Sequence, residues 1–356
     1  MAEAKSIEAL SLSFTAGVAA GTVLSGPAGM LFPGLLLLPA GLPLLFRERL
    51  PRMDEKWLAG LFMAVFALLG AFSAAARLPA PEARSFLHTF SGEACLRLQA
   101  LIAQIPFPSE GTAPLLQALL TGDRSGLSPE TLSAFRQSGA SHILALSGLH
   151  LGILYLFIDK ALSIFGQYPS VRVLRLVILV PAALFFTLMT GAAPSLVRAF
   201  LFILINEILR LSGRPRKASR VLCLALLVQL VLDPSVIRSL GFQLSYLAMA
   251  GIFFIYPTLE RWYPGKGALQ RIWQAAALSI SCQLTTAPLA WLRFHSFPRY
   301  FLLTNLLALP LTTCLMGTAV CTVAWWALGG CPELLIQTTD VLCNALQRTL
   351  EIIAGL

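Results

Sequence analysis

The chain has 356 residues, of which 57% are hydrophobic and only 12% charged, with a mean hydropathy of +0.76. Globular chains carry about twice that charge fraction, so the two soluble domains that the length alone would allow are excluded. The net charge of +9 is concentrated in three short loops: Arg47, Arg49, Arg52 and Lys56; Arg210, Arg214, Arg216, Lys217 and Arg220; Arg261, Lys266 and Arg271. Cytoplasmic loops of a multi-spanning protein carry such clusters; contact with nucleic acid or anionic lipid is the other reading.

Apolar runs of roughly 17 to 25 residues recur along the chain. They predict an all-α, polytopic helical integral membrane protein with about ten membrane segments, some broken or re-entrant. Three parts are expected: N-terminal membrane helices in 1–77, a short external interfacial segment in 78–113 and a membrane domain in 114–356. The N-terminus, MAEAKSIEAL, is mildly acidic and lacks a cleavable-signal pattern, so the first apolar segment is expected to stay as an anchor. The seven cysteines show no CxxC spacing and are an odd number, which argues against a disulfide framework or a zinc site. No metal or cofactor is expected.

In chain order, 9–28 and 30–46 are apolar segments separated by a Gly26-Pro27 turn, and because the second is short and holds Pro33, Pro39 and Pro43, the two are expected to form a tight hairpin rather than two straight spans. The basic RERLPRMDEK loop leads to a span over 57–77. In 78–113, Leu87, Phe90, Ala94, Leu98, Leu101 and Ile105 recur at helical spacing while Glu93, Gln99 and Gln104 fall off the stripe, predicting an amphipathic helix in the interface. Leu115 to Leu120 starts a short helix broken at Thr121-Gly122. Ser128-Pro129 then reads as an N-cap with proline at the first helical position, launching 129–137, and Gly139 ends that helix. Ser141-His142 is expected to open one long helix reaching about Gly166. Further segments follow at 171–190, 194–211, 219–232, 240–256, 272–291 and 301–328, the last interrupted by Pro310. The final stretch, 333–353, carries Glu333, Asp340, Arg348 and Glu351, so it either lies at the surface or packs as a polar-sided helix.

Ionisable groups at membrane depth are costly and mark a site by default. In TGDRSGL, Gly122 and Gly126 bracket Asp123 and Arg124, two neighbours that cannot face one another well. Each is expected to have its own partner, whether in a phosphate or proton site or in a loop ion pair. In SHILALSGLHLG, a continuous helix places His142, Ser147 and His150 on one broad arc, with Gly148 and Gly152 forming a small-xxx-small step on the other side. Ser147 and His150 are three apart, which suggests a hydrolase, but no acid is placed to orient the His and no nucleophile elbow is present. Hydrogen bonding between packed helices is the plainer reading. In TGAAPSLVRA, Arg198 near a helix start opposes the macrodipole. Either a carboxylate such as Asp123 offsets it, or the free N–H groups and the guanidinium hold an anion. In DPSVIRSLGFQLSYLA, Gln243 and Ser245 are polar groups inside a span and serve as packing contacts or ligands.

LLTGDRSGLSPETLSAFRQSGASHILALSGLHLGIL resembles the competence domain of the ComEC DNA-uptake proteins, and TGAAPSLVRA and DPSVIRSLGFQLSYLA look like that family's later motifs. The likeness extends from the N-terminal spans to about Pro310. It implies a bacterial inner-membrane, multi-pass channel that passes single-stranded DNA into the cytoplasm, with a DNA receptor, a nuclease and a DNA-translocating motor on other chains. Long members carry an OB-like domain where 78–113 stands, and some carry a metallo-β-lactamase-like domain. With four His and no HxHxDH motif, this sequence is similar to the membrane core, so no enzymatic role is expected. Under this reading Asp123, Arg124, His142, Ser147, His150, Arg198, Gln243 and Ser245 line the passage, and Phe135 or Phe242 stacks bases. A hydrolase or transferase using Ser147 and His150, and a proton-coupled transporter of a smaller anion using Asp123, are the competing readings.

Overall fold

The computed structural model describes residues 2–23, 55–76, 83–164, 166, 168–212, 217–263, 265–295 and 298–356. Residues 24–46 of the expected hairpin and most of the RERLPRMDEK loop lie outside the described residues. Among the described residues every regular element is helical, with no strand. Leu240–Glu260, Ala268–Phe294 and Phe301–Ala327 are long and apolar enough to cross a membrane. Shorter apolar helices cover Thr112–Thr121, Val173–Met189 and Ala218–Leu232. The chain is a helical membrane protein.

It divides into two compact units: residues 1–84 with 197–243, and residues 85–196 with 244–356. In the first, the helices Ala2–Val23 and Glu55–Ala76 cross with their backbones nearly touching. A Cβ on Gly17 would lie 1.7 Å from the Ala67 carbonyl oxygen, and one on Gly70 would lie 2.2 Å from that of Phe14. Small residues permit this approach, which replaces the missing hydrophobic drive between helices in lipid. The Ser219 hydroxyl donates to Glu8 at 2.9 Å, tying the Ala218–Leu232 helix to the same pair.

In the second unit, the predicted stop and start signals operate as local rules. Gly122 closes the Thr112–Thr121 helix in the left-handed region at φ 84°. The Ser128 hydroxyl accepts the Thr131 N–H and starts Pro129–Gln137. Phe135, from that helix, is 1% exposed in a core shared with Ile102, Leu116, Leu315 and Leu346.

Three expectations change. Gln99, placed off the apolar stripe of the Ala83–Ala103 helix, lies on its packed side and donates to the Thr121 hydroxyl at 3.2 Å. Phe301–Ala327 is not interrupted at Pro310. One lost intrahelical bond is outweighed there by a face in which Thr304, Ala308, Thr312 and Leu315 are fully buried. The span from Leu240 runs on to Glu260 through a π turn at Gly251–Ile255. That widened turn stands just ahead of Pro257, whose ring would press on the carbonyl four residues back.

The C-terminal helix, Glu333–Ala354, takes the polar-sided alternative. Ile336, Thr339, Asp340, Cys343, Leu346 and Leu350 recur every three or four residues and are buried. The stripe packs on Phe301–Ala327, where the Thr322 and Thr339 hydroxyls meet at 2.9 Å.

Candidate functional site

The GDRSGL segment is a tight loop with its own internal bonds. The Asp123 carboxylate accepts the Ser125 N–H at 3.0 Å, and the Leu127 N–H donates to the Arg124 carbonyl at 3.1 Å. The Ser125 N–H and hydroxyl hold the Asp123 carboxyl below the usual carboxylate range, so it is ionised at neutral pH. Arg124 points elsewhere: its Nη2 donates to the Leu144 carbonyl at 2.9 Å. Each of the two adjacent residues has a separate partner, as their spacing required.

The long helix expected from Ser141 is broken. A single turn, Ser141–Leu144, ends at Ala145 in an extended conformation (φ −74°, ψ 123°). Ser147, also extended, caps a new helix over Gly148–Ser163. The Leu149 N–H donates to the Ser147 hydroxyl at 3.2 Å, and the Ser147 N–H donates to His150 Nδ1 at 3.2 Å. This is a capping box in which His stands at the position usually held by Glu or Gln. His142, Ser147 and His150 therefore do not share a helix face. At Gly152 a Cβ would meet nothing within 4 Å, so among the described residues no neighbouring helix approaches closely there.

Chain polar groups freed by a break must find partners. Here two motifs distant in sequence supply them. Arg124 takes the Leu144 carbonyl, and the Ser195 hydroxyl of TGAAPSL takes the Leu146 carbonyl at 2.9 Å. The Leu146 side chain fills the space left open by Gly122, where a Cβ would lie 2.6 Å from its Cδ1. Three of the four sequence motifs thus converge on residues 144–147.

The other expected site residues are distributed differently. His142 is exposed, with Nδ1 3.1 Å from the Gly139 carbonyl. His150 is 1% exposed, and its Nε2 has no hydrogen-bond partner among the described residues. Arg198, Phe242 and Gln243 belong to the first unit, whereas Asp123, Arg124, His142, Ser147, His150 and Ser245 belong to the second. Gln243 donates to the Ile237 carbonyl at 2.8 Å and so closes the short turn before its own helix. Arg198 and Ser245 are half-buried. Phe135 and Phe242 are 1% and 4% exposed, so neither ring is offered to a base in this conformation.

Sequence reasoning missed the parts played by four polar residues. Ser195 was visible only as part of a motif. Asp159 and Arg175 form an ion pair at 3.4 Å between the helices Gly148–Ser163 and Pro169–Met189, with Arg175 only 3% exposed. Asp340 is 5% exposed and bonded to Ser109 and Thr112, more than 200 residues away in sequence. A lone Asp in an apolar stripe was the available signal for Asp340. Among the described residues no group of three or more His, Cys, Asp or Glu could hold a metal ion.

Comparison with known proteins places a family model described as "Competence protein" on residues 119–356. The match therefore begins after the N-terminal spans and continues past Pro310 to the last residue, a different extent from the one read in the sequence. The chain is similar to the ComE operon protein 3 of Bacillus subtilis (strain 168), at 29% identity over 255 residues. It is also similar to the uncharacterised protein YcaI of Escherichia coli (strain K12), at 27% over 202 residues, and to the competence protein ComA of Neisseria gonorrhoeae, at 29% over 173. These alignments take in 69%, 54% and 47% of this chain but only 31%, 26% and 25% of the relatives. No solved structure matches.

Proposed function

Since the chain belongs to the Competence protein family, we propose that it serves DNA uptake as an inner-membrane, multi-pass channel for single-stranded DNA. The observation that carries the reading is the family match over residues 119–356, within which the motifs meet on one broken helix. Ser195 adds the third motif to that point. About ten membrane segments, with the basic loops on the cytoplasmic side, complete the proposed topology. Receptor, nuclease and DNA-translocating motor are assigned to other chains.

The geometry redistributes the roles of the site residues. Arg124 and His142 are the exposed members of the second unit, and they are the proposed contacts for phosphate. Ser147 and His150 are instead assigned a structural role, capping the helix that starts after the break. A conduit for a polyanion needs weak and few fixed cations, because strong ones would trap the strand. Non-helical backbone at membrane depth is tolerated where it lines a cavity or is buried in protein, and the 145–147 break is proposed as that wall.

The hydrolase reading is disfavoured by the surroundings of His150. The Ser147 hydroxyl lies 3.2 Å from His150 Nδ1, but Nδ1 also accepts the Ser147 backbone N–H at the same distance, and Nε2 meets no carboxylate among the described residues that could orient the ring. The proton-transporter reading is disfavoured by Asp123, whose carboxyl is held below the ordinary range and stays charged at neutral pH.

The test scores a deletion strain separately for binding of labelled DNA outside and for its arrival in the cytoplasm. A channel predicts loss of the second step alone. Arg124→Ala is expected to lower cytoplasmic entry in a correctly inserted protein, and unchanged entry would remove Arg124 from the pathway.

A further inference from the structure

The short helix that delivers Gly122 and Arg124 begins without a cap of its own. Its N-cap position is Gly111, in the right-handed helical region (φ −75°, ψ −15°), and makes no side-chain capping bond. The turn that leads into it is held by a different helix. Asp340, 5% exposed on the C-terminal helix, accepts the Ser109 N–H at 3.1 Å and the Ser109 hydroxyl at 2.8 Å. It also accepts the hydroxyl of Thr112, the first residue of the short helix, which is fully buried. Asn344, one turn further on, donates to the same carboxylate at 3.0 Å and to the Ser109 hydroxyl at 2.8 Å, so the cluster closes on itself. A carboxylate beside a helix N-terminus is favoured by the macrodipole. The donors that surround the Asp340 carboxylate are neutral: the Ser109 amide and hydroxyl, the Thr112 hydroxyl and the Asn344 amide.

We infer that Asp340 is a positioning residue for the broken-helix site: its carboxylate fixes the 109–112 turn to the start of the Thr112–Thr121 helix, through the Ser109 amide and the Ser109 and Thr112 hydroxyls, and thereby sets where Arg124 meets the Leu144 carbonyl. The path is short and stiff. Ten helical residues, about 15 Å long, separate that turn from Gly122, and two residues later Arg124 reaches the break. The core residues Leu115, Leu116 and Leu119 are fully buried, so the helix moves as a body when its first turn is released. The functional consequence rests on the proposed role of the break in DNA passage; the positioning itself does not.

Hydrogen exchange of the full chain in lipid nanodiscs tests the coupling. Asp340→Thr is expected to speed exchange at least about tenfold in 109–116, the strength of lost hydrogen bonds to a charged group, and also in 145–149. The distal half of the C-terminal helix, 345–354, is expected to stay protected. The reciprocal exchange, Asp340→Thr with Thr112→Asp, returns the carboxylate to the same helix end and is expected to restore slow exchange at both places. Loosening confined to 109–112 would overturn the inference, as would loss of protection throughout 333–354 or failure of the reciprocal pair to restore it. DNA entry is measured on the same variants. If Asp340 acts through Arg124, the double variant Asp340→Thr/Arg124→Ala is no worse than the poorer single one, and additive loss of entry would overturn the inference. Coupled exchange with normal entry in every variant would support the positioning role and instead defeat the DNA-passage reading.

Discussion

Gly122→Ala is a sharp test of the idea that the motif loop and the helix break are one structure. Gly122 has φ 84°, and a Cβ there would lie 2.6 Å from Leu146 Cδ1. The left-handed backbone costs an L-residue about 1–2 kcal/mol. Moving the half-buried Leu146 side chain aside adds about 1 kcal/mol, the low end for overpacking, since the obstructing atom is the tip of a flexible chain. The sum is about 2–3 kcal/mol, or a shift of roughly 30- to 150-fold in an equilibrium constant. Because the Leu146 carbonyl is also bonded to Ser195, the damage should appear at the break as well as at the turn. Hydrogen exchange of the full chain in nanodiscs reads both places. The Leu149 and His150 amides are expected to lose protection together with those after Gly122. Gly152→Ala is the control of opposite sign: its Cβ meets nothing within 4 Å, so it should stabilise its helix by up to about 1 kcal/mol. Full protection at 145–150 in Gly122→Ala would refute the reasoning.

Other outcomes follow from individual contacts. His150→Gln should keep most of the stability of the Gly148–Ser163 helix, because Gln is a usual partner at that capping position, whereas His150→Ala should lose about 1 kcal/mol or more; equal thermal shifts for the two would contradict the capping role. Ser147 should remain unlabelled by an activated-serine probe, and labelling would revive the hydrolase reading. Asp159→Leu leaves Arg175 buried without its carboxylate, a loss of about 3–5 kcal/mol, while Asp159→Leu/Arg175→Leu should recover most of it; a double variant as unstable as the single would contradict this. For pH, the Asp123 carboxyl titrates lower in the folded loop than in the unfolded chain. Its contribution is present above the ordinary carboxylate value of about 3.9 and is lost as pH falls through the folded value. The Ser125 amide should therefore stay equally protected, after correction for intrinsic rates, from neutral pH down to about 4, and a change near neutrality would refute the assignment.

What the sequence determined by itself was whatever depends on neighbouring residues. Helix identity came from apolar runs, and the ends at Gly122, Ser128 and Gly139 came from φ preference and capping within three or four residues. The break at 145–147 had one local sign, a Ser followed by Gly, which the helix-permissive run ILAL obscured. Its cause is non-local: Arg124 and Ser195 satisfy carbonyls that a continuous helix would have satisfied itself. Burial of Phe135 and Phe242, which removed them as stacking surfaces, and the hold of Asp340 on the turn ahead of another helix were likewise decided by tertiary packing. Periodicity shows which residues can share a face, but only the packed chain decides which face is covered and which distant donor lies within 3 Å of an orphaned acceptor.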